Sequence, residues 1–484
     1  MVSLEEVEDL RDWLALADEL GDVREISGAS WDREIGAASE LNYKRPSAPA
    51  LLFDDIEDYP SGMRVLTASM ANARRLAMTL RLGTDLDDRD LVQALRNLPN
   101  SWVERAPDFP AMKVASGPVL ENVVKADDAD LLAFPVPHWH EGDGGRYAGT
   151  GCAVFTTDPH TGQLNAGAYR MQVQNDGRAA SVNIEAGKHG AAHVRAWFEK
   201  EGRAPVTASL GHDPLLLIVA GTEVPAGISE LEYAGAVLNR PIEIIEGEVT
   251  GLPVPAKSEI VVEGWLYPDR REPEGPFGEW TGYYSGGSES ILTMDIERIY
   301  HRDDPILLGA PPGKPPHDYS YMRSVMKSAM IYDGLAATGL PGLAGAWAHE
   351  AGGGRQLIAV SVHQQYAGHA RQAAHLAAHL PAAAYMNKFV IVVDGDVDPR
   401  SLSDVMWAVC TRTEPARDIE VMRETWGSRV DPLREPGAAP FNTRAIIDAC
   451  RPWERLDSFP EVAEASPELL DLVARKWPDA LGVG

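Results

Sequence analysis

The sequence predicts a multidomain protein of the mixed α/β and α+β class, and three observations carry this prediction. At 484 residues the chain is longer than one hydrophobic core ordinarily serves, so two or three domains are expected. Helical hydrophobic spacing dominates the start, short β-like runs fill the middle, and strand and helix patterns alternate later. These changes divide the chain into residues 1–112, 113–308, 309–452 and 453–484.

Residues 1–112 are predicted to form a small N-terminal α/β domain. Ser3 and Glu6 have the spacing of a capping box, and apolar residues at helical spacing follow as far as Gly21. A first helix is therefore expected to begin near Ser3 and to end at Gly21. Further helical patterns lie near 70–82 and 87–98, and the apolar run PALLFDDI predicts a strand.

Residues 113–308 are predicted to form a barrel-like β domain with inserted helices. Short β-like runs are separated by turn residues at fairly regular intervals, which is typical of such a domain. The runs are GCAVFTTD, NAGAYRMQVQ, PLLLIVAG, PIEIIEGEV, SEIVVEGWLY and SILTMDIERIYH.

Residues 309–452 are predicted to form a C-terminal α/β domain with parallel strands. RQLIAVSV, the Ala-rich GHARQAAHLAAHL and KFVIVVDGDVD have the pattern of a strand, a helix and a strand, and SLSDVMWAVCTRT adds a helix. In the tail, PELLDLVARKW predicts a terminal helix that docks on another domain or on a second subunit.

Charge and composition exclude several classes of protein. A formal net charge of −28 argues against a nucleic-acid or anionic-membrane partner. No apolar run approaches the ~18 residues of a membrane span, and the start lacks the pattern of a secretory signal, so we expect a cytoplasmic protein. Cys152, Cys410 and Cys450 lie far apart, so neither a disulfide framework nor a thiolate zinc site is expected.

The stretch REPEGPFGEWTGYY, residues 271–284, carries two carboxylates with Gly-Pro-Phe-Gly between them. A helix is disfavoured because Pro276 lacks a backbone donor and its ring restricts Gly275. On a regular strand the odd spacing of Glu274 and Glu279 would point them to opposite faces. We therefore predict a shaped loop in which both carboxylates can converge on one place.

Two further stretches carry candidate site residues. NAGAYRMQVQ places Asn165 and Arg170 on a predicted strand, and EAGKHG follows with His189. In GISELEYAGAVLNRP, Glu230 begins a helical segment. Taken alone, a strand arginine is typically a surface residue, and a glutamate in a first helical turn typically serves the helix dipole.

In this order, these stretches resemble the UbiD-type decarboxylases, enzymes that use prenylated FMN. The resemblance extends over nearly the whole chain, through PVPHWHEGDGGRYAGTG, DPHTGQLNAGAYRMQV, EYAGAVLNRP, EGPFGEWTGYY, KFVIVVDGDVD and FNTRAIIDACRPW. It implies that 113–308 is a flavin-binding split β-barrel and that 309–452 is an oligomerisation domain. The implied activity is the non-oxidative, potentially reversible decarboxylation of an α,β-unsaturated, aromatic or heteroaromatic acid.

The resemblance implies that Arg170, Glu274 and Glu279 surround the flavin as catalytic residues. We expect Glu274 to pair with Arg170 and to stay ionised. Glu279 would then lack a strong cation in a pocket lined by Phe277 and Trp280. Desolvation should raise the pKa of Glu279 toward working pH and make it the proton donor.

The family's divalent metal, usually manganese, would fall on Asn165, His189 and Glu230 and would bridge to the cofactor phosphate. An amide, an imidazole and a carboxylate form a mixed shell that suits Mn²⁺ or Mg²⁺, and K⁺ is a further candidate ion. Cofactor contacts would also come from the backbone near Ala168 and from Lys388.

Two positions depart from the cinnamate-type members and leave the substrate open. Lys188 stands where a neutral glutamine is expected, so it could pair with the substrate carboxylate or with a cofactor oxygen. Trp280 stands where a smaller side chain occurs, and it could stack on a flat substrate. Packing is the alternative for both side chains.

The expected partners are a small carboxylic acid, a flavin prenyltransferase that supplies the cofactor, and further copies of the chain in a homodimer or larger homo-oligomer. Two alternatives remain. The first is a flavin reductase or oxidase on a similar barrel, which would consume NAD(P)H and leave the Arg170, Glu274 and Glu279 set without a role. The second is a non-catalytic flavin-binding member, in which these residues could be replaced without loss.

Overall fold

The computed structural model describes residues 3–284, 289–435 and 437–481. In the N-terminal segment the helices and strands are α1 (Leu10–Glu19), β1 (Val23–Ser27), α2 (Glu34–Tyr43), β2 (Ala50–Asp54), β3 (Arg64–Thr67), α3 (Ala73–Thr79), α4 (Asp88–Ala94) and α5 (Leu98–Arg105). Strands β1 and β2 pair in parallel, and β3 runs antiparallel to β2. The predicted α/β character of this segment is therefore present.

The first helix begins later than predicted. Ser3 and Glu6 do form a capping box, but it closes only a 3-10 turn at Leu4–Glu6. Helix α1 starts at Leu10, because the Asp9 carboxylate accepts hydrogen bonds from two backbone N–H groups of the first turn. Of two capping signals near the N-terminus, the second begins the long helix.

The central segment contains one large sheet. Its elements are β4 (Met112–Lys113), β5 (Asn122–Lys125), β6 (Tyr147–Gly149), β7 (Ala153–Thr157), β8 (Leu164–Gly167), β9 (Met171–Gln174), β10 (Ala179–Val182), α6 (His189–Glu201), β11 (Ala204–Gly211), α7 (Pro214–Ala220), α8 (Glu230–Leu238), β12 (Glu243–Glu246), β13 (Pro253–Pro255), β14 (Ile260–Glu274), β15 (Glu289–His301) and β16 (Ile306–Leu308). The nine-stranded sheet has the order β6-β9-β10-β15-β14-β11-β7-β8, with β5 beside β15. Within the described ranges no strand pair closes this sheet, so a split barrel is not confirmed.

One predicted strand of this segment is a helix. PLLLIVAG forms α7, whose seven residues are all buried. Asp213 caps the helix by accepting the Leu215 N–H, and Pro214 occupies the first turn, where a missing donor costs nothing. A short apolar run has the same composition in a buried strand and in a buried helix, so hydrophobicity alone could not separate them.

The C-terminal segment has the predicted α/β organisation. Its elements are α9 (Asp318–Ala337), β17 (Leu343–Ala348), β18 (Leu357–Val362), α10 (His369–His379), α11 (Pro381–Ala384), β19 (Phe389–Asp394), α12 (Leu402–Arg412), α13 (Pro415–Asp418), β20 (Ile419–Trp426) and β21 (Phe441–Ala449). The sheet order is β17-β18-β19-β21-β20. Strands β18, β19 and β21 are parallel, and α10 connects the first two, so the predicted strand, helix and strand unit is confirmed.

The segments are joined by shared structure. Strand β16, at the end of the central segment, pairs with β3 and completes the N-terminal sheet. The tail contains α14 (Pro467–Lys476) and α15 (Pro478–Leu481), and no residue of α14 is buried. The terminal helix is present as predicted, while its docking stays a prediction. No helix in the described part of the chain is long and apolar enough to cross a membrane.

Candidate active site

The two carboxylates of the loop converge on one arginine. Strand β14 ends at Glu274, and the chain turns at Gly275, whose φ of 92° lies in the left-handed region that favours glycine. Arg170 Nε and Nη2 each lie 2.9 Å from a Glu274 oxygen, and Nη1 lies 2.7 Å from Glu279 Oε1. The predicted convergence is confirmed.

Arg170 lies on the short connection between β8 and β9, and loop packing brings the carboxylates to it. The Gly144 N–H donates to the Pro276 carbonyl at 2.7 Å. A Cβ at Gly144 would lie 2.1 Å from the Gly275 carbonyl oxygen, so only glycine permits this approach. The backbone of the Gly-Pro turn is thus fixed against the segment before β6.

Glu274 is buried, at 1% exposure, and accepts four hydrogen bonds. Two come from Arg170, one from the Tyr147 hydroxyl at 2.9 Å and one from Asn183 Nδ2 at 3.1 Å. Burial acts to lower the pKa of Arg170, but the hydrogen bonds and charge of Glu274 outweigh it and raise that pKa. The bidentate pair therefore keeps the guanidinium charged and oriented.

Glu279 differs from the prediction in one respect. We expected it to lack a strong cation, and this was wrong, because Arg170 Nη1 bonds to it. A guanidinium carries five N–H donors in a planar fork, so one arginine can serve two carboxylates. Burial nevertheless raises the pKa of Glu279, against the attraction of Arg170 and with added repulsion from Glu185 and Glu274.

Phe277 and Trp280 occupy different positions beside this centre. The Phe277 ring stacks on Tyr147 with centroids 3.8 Å apart, and Arg170 Cζ lies 5.7 Å from its centroid. Trp280 is half-buried and faces the C-terminal segment, where Arg323 Cζ lies 5.8 Å from its ring. Phe277 thus packs beside Tyr147 and Arg170, whereas Trp280 packs beside Arg323 of α9.

Two of the predicted metal ligands lie close together. Glu230, in the first turn of α8, accepts the Ala166 N–H at 2.7 Å, one residue from Asn165. Asn165 Nδ2 lies 3.4 Å from both the Thr156 and Tyr169 hydroxyl oxygens. Burial raises the pKa of Glu230 to about 7. Within the described ranges Glu230 forms no ion pair, so its charge is left for another cation to offset.

His189 begins α6 beside this pair, with its side chain exposed. The next residue, Gly190, packs on the Tyr169 ring, since a Cβ there would lie 2.9 Å from the Tyr169 hydroxyl oxygen. The described residues contain no cluster of three or more His, Cys, Asp or Glu side chains suited to a metal. The predicted set has only two such residues and an amide, so metal binding stays a prediction.

The other predicted cofactor contacts lie in two segments of the chain, with Ala168 and Lys188 in the central segment and Lys388 in the C-terminal segment. The Ala168 N–H donates to the Ala220 carbonyl at 3.0 Å, and Lys188 is exposed immediately before α6. Lys388 Nζ forms an ion pair with Asp431 at 2.8 Å, in the C-terminal segment. The cofactor contacts of these residues stay predictions.

The sequence analysis did not identify several residues that lie beside Glu274 or Trp280. Tyr147 and Asn183, which donate to Glu274, were not singled out, because no local pattern links them to a carboxylate about a hundred residues away. It also missed three cations of the C-terminal segment, Arg323, Lys327 and Arg355. The first two are four residues apart on α9, a spacing that places them on one helix face and was the available signal.

Comparisons with known sequences cover most of the chain. Profiles of the 3-octaprenyl-4-hydroxybenzoate carboxy-lyase family match its N-terminal domain at residues 14–95, its Rift-related domain at 111–315 and its C-terminal domain at 320–449. A phenolic acid decarboxylase of Bacillus subtilis is 30% identical, with 96% of this chain and 99% of that protein covered. An uncharacterized protein of Archaeoglobus fulgidus is 29% identical over 97% of this chain and 98% of that protein.

Solved structures show the same architecture. Vanillic acid decarboxylase of Sedimentibacter hydroxybenzoicus, in its open form, is 28% identical, with a TM-score of 0.82 over 98% of this chain and 99% of that one. The UbiD-class enzyme HmfF of Pelotomaculum thermopropionicum, solved with FMN, has a TM-score of 0.83 at 24% identity, over 96% of this chain and 99% of that one. At that identity the second likeness concerns the fold alone.

Proposed function

The chain belongs to the UbiD family of carboxy-lyases, and from this premise we propose that it removes CO2 from an aromatic, heteroaromatic or α,β-unsaturated carboxylic acid with bound prenylated FMN. The observation that carries the proposal is Arg170, which lies between β8 and β9 of the central sheet and pairs with both Glu274 and Glu279. The matched relatives named for vanillic acid and phenolic acid decarboxylation support an aromatic acid as the substrate.

The chemistry of the site fits a cation and a phosphate-bearing cofactor. Glu230 is a buried carboxylate beside the Asn165 amide, and both provide oxygen ligands of the kind that Mn²⁺ and Mg²⁺ prefer. Asn165, His189 and Glu230 would hold Mn²⁺ or another divalent ion, with K⁺ as a further candidate. Lys188, Lys388 and the backbone at Ala168 would contact the cofactor. When bound, prenylated FMN would stabilise the negative charge that develops on the substrate carbon as CO2 departs.

The residues of the chain would divide the remaining work. Arg170 would orient the substrate carboxylate, and Glu274 would hold the guanidinium in place through its two hydrogen bonds. As the carbon–carboxylate bond breaks, its electron pair stays with the carbon and CO2 leaves. The Glu279 carboxyl group then gives its proton to that carbon, and solvent restores the proton on Glu279. The raised pKa of Glu279 favours the protonated form that this step requires.

The proposal extends to assembly and supply. The open nine-stranded sheet would act as the flavin-binding split barrel, and a flavin prenyltransferase would provide the cofactor. Exposed apolar side chains on the edge strand β20 and on α14 support a homodimer or larger homo-oligomer built through the C-terminal segments. They include Val421, Trp426, Leu470 and Leu472.

Co-expression with a flavin prenyltransferase tests this function. Mass spectrometry of the bound cofactor should identify prenylated FMN, and the loaded protein should release CO2 from members of a panel of aromatic and unsaturated acids. Protein purified without the prenyltransferase serves as the control and should release none. NAD(P)H oxidation without CO2 release would contradict the proposal and favour a flavin reductase or oxidase.

A further inference from the structure

Three cations of the C-terminal segment form a group beside the loop that carries Glu279 and Trp280. Arg323 and Lys327 lie on α9, and Arg355 follows the short turn Glu350–Gly352. Their side chains act electrostatically on one another, so the three positive charges share one region. We call Arg323, Lys327 and Arg355 the cation cluster.

The cation cluster has almost no anionic partner of its own. Among the described residues its one ion pair joins Arg355 Nη2 to Glu223 Oε1 at 3.9 Å, and the Glu223 side chain is 58% exposed. Nε and Nη1 of Arg323 and Nη1 of Arg355 are buried without a hydrogen-bond partner. Lys327 donates to the Ala382 carbonyl at 2.8 Å, a neutral acceptor. Buried cations of this kind are costly unless an anion pairs with them.

Aromatic rings surround the guanidinium groups and connect the cation cluster with the catalytic loop. Arg323 Cζ lies 5.0 Å from the Tyr319 centroid and 5.8 Å from that of Trp280, the residue after Glu279. Arg355 Cζ lies 5.0 Å from the Tyr385 centroid. The exposed Glu185 acts electrostatically on both Glu279 and Arg355, so the two groups lie in the same region of the molecule.

The electrostatics agree with this geometry. Burial, together with the weaker repulsion from Arg355, lowers the pKa of Arg323 to about 9 and that of Lys327 to about 7. Two other buried arginines have their acceptors within the chain. Arg412 bonds to Asp394 and Asp396, and Arg444 donates to three backbone carbonyls. The cation cluster is therefore an arrangement that folding leaves incomplete.

We propose that the cation cluster binds a second carboxylate of the substrate, so that the preferred acid is a flat aromatic dicarboxylate. This inference rests on the proposed function, in which Arg170 receives the carboxylate that is lost. The other anion that could satisfy the cluster is the cofactor phosphate. The phosphate is assigned to the Asn165 and Glu230 side, whereas the cluster borders Trp280, beside the proton donor.

Binding measurements on the cofactor-loaded enzyme test the inference. Calorimetric titration would compare the 1,2-, 1,3- and 1,4-isomers of benzenedicarboxylate with the matching methylbenzoates, which replace one carboxylate by a methyl group. The wild-type protein should prefer at least one dicarboxylate by about tenfold or more, the scale of one charge-assisted contact. Arg323→Met and Arg355→Met should each reduce that preference several-fold, and Arg355→Lys should retain part of it.

Arg203→Met is the matched control, because Arg203 also stacks on a tryptophan, with its Cζ 3.7 Å from the Trp265 centroid, but lies outside the cluster. It should keep the full preference. Flavin content, measured by absorbance, should be the same in every variant.

Equal affinity of the wild type for dicarboxylates and monocarboxylates would overturn the inference. Loss of flavin in the arginine variants would also overturn it, because that result would assign the cluster to the phosphate. If monocarboxylates are turned over without any preference, only this inference fails. If the loaded enzyme turns over no acid, the proposed function fails too.

Discussion

Arg170 and the cation cluster are two arginine-containing regions that contact the same loop, through Glu279 and Trp280, and they differ in which anions pair with them. Arg170 has its anionic partners within this chain, since two of its nitrogens donate to Glu274 and the third donates to Glu279. Among the described residues, the cation cluster forms one ion pair, the distant contact of Arg355 with Glu223. Folding alone completes the first region, whereas the second requires an anion from outside. We infer that the first region serves the reaction and the second the choice of substrate.

The strongest test of this contrast is Arg170→Met. Removing the guanidinium leaves Glu274 buried without its cation, so the free energy of unfolding should fall by about 3–5 kcal/mol and activity should be lost. Chemical denaturation and CO2 release measure both effects. Arg298→Met is the control, because its partner Glu248 is 62% exposed and lies 3.5 Å away, and the change should stay below about 1 kcal/mol. Wild-type stability in Arg170→Met would mean that Glu274 does not depend on this pair.

The two carboxylates that pair with Arg170, Glu274 and Glu279, should have different roles in the reaction. Glu279→Gln should keep cofactor and metal but lose roughly 10²-fold in turnover, the usual scale for a positioned general acid. Hydrogen exchange into the product in heavy water should be lost with it. Glu274→Gln should instead reduce both activity and the stability of the bound flavin, because Arg170 loses its bidentate partner.

Glu272→Gln is the control for both variants, since Glu272 lies on the same strand and pairs with Arg270 at the surface. It should behave like the wild type. If Glu279→Gln exchanges hydrogen and turns over normally, the proposed division of labour between the two acids is wrong.

The buried Glu230 offers a third region to compare, a carboxylate that forms no ion pair with any residue that the structure describes. His189→Ala should weaken binding of Mn²⁺ by about tenfold to a hundredfold and release the flavin with it, because metal and phosphate would be held together. Elemental analysis and absorbance of the purified variant measure the two contents. His160→Ala, at an exposed turn, is the control. Normal metal and flavin in His189→Ala would exclude it as a ligand.

The sequence was informative where local chemistry restricts the backbone. Pro276 and its glycine neighbours exclude a helix, so the convergence of Glu274 and Glu279 could be predicted. The second bond of Arg170, to Glu279, could not, because composition does not tell how many carboxylates share one guanidinium. The grouping of Arg323 and Arg355 could not be predicted either. The rings beside their guanidinium groups, those of Trp280 and Tyr385, come from other parts of the chain.

The run DGDVD, residues 394–398, has three aspartates at the spacing that begins a calcium loop, but it lacks the turn glycine and the closing glutamate of such a loop. In the structure, Asp394 and Asp396 pair with Arg412, and Asp398 pairs with Arg400. Arginines of the chain pair with these carboxylates, as Arg170 pairs with Glu274. Glu230 has no such arginine among the residues that the structure describes.

The incomplete region should also show in the pH dependence of stability. The pKa of Lys327 is lowered from 10.5 to about 7, chiefly by burial and also by Arg355 and Arg323, with Glu223 opposing. Between these values the unfolded chain binds more protons than the folded one, so this group makes the free energy of unfolding rise with pH. Below that window the folded protein bears the full cost of the buried charge.

Lys327→Met should therefore raise the Tm more at about pH 7 than at about pH 9.5, as scanning calorimetry would measure. Lys257→Met is the control. Burial opposes the charge of Lys257, yet its pKa is raised by Glu8 and Glu243, so that change should lower the Tm. A Tm gain in Lys327→Met that does not vary with pH would mean that packing, and not charge, is responsible.

The smallest expected effect concerns Trp280, which lies between the two regions. Trp280→Ala should leave flavin content unchanged, because the ring contacts Arg323 and the backbone at Gly353, where a Cβ would lie 2.5 Å from it. Removing this wall should change the relative rates among acids by about tenfold or less, since pocket contacts alter selectivity more than chemistry. Trp407→Ala is the control, an exposed ring under Arg412, and should change nothing. A loss confined to dicarboxylates would show that Trp280 orients Arg323, whereas an equal loss for all acids would make it a general wall. Unchanged relative rates would mean that Trp280 neither orients Arg323 nor forms a wall of the substrate pocket. They would also contradict a shared role of this loop and the cation cluster in substrate choice.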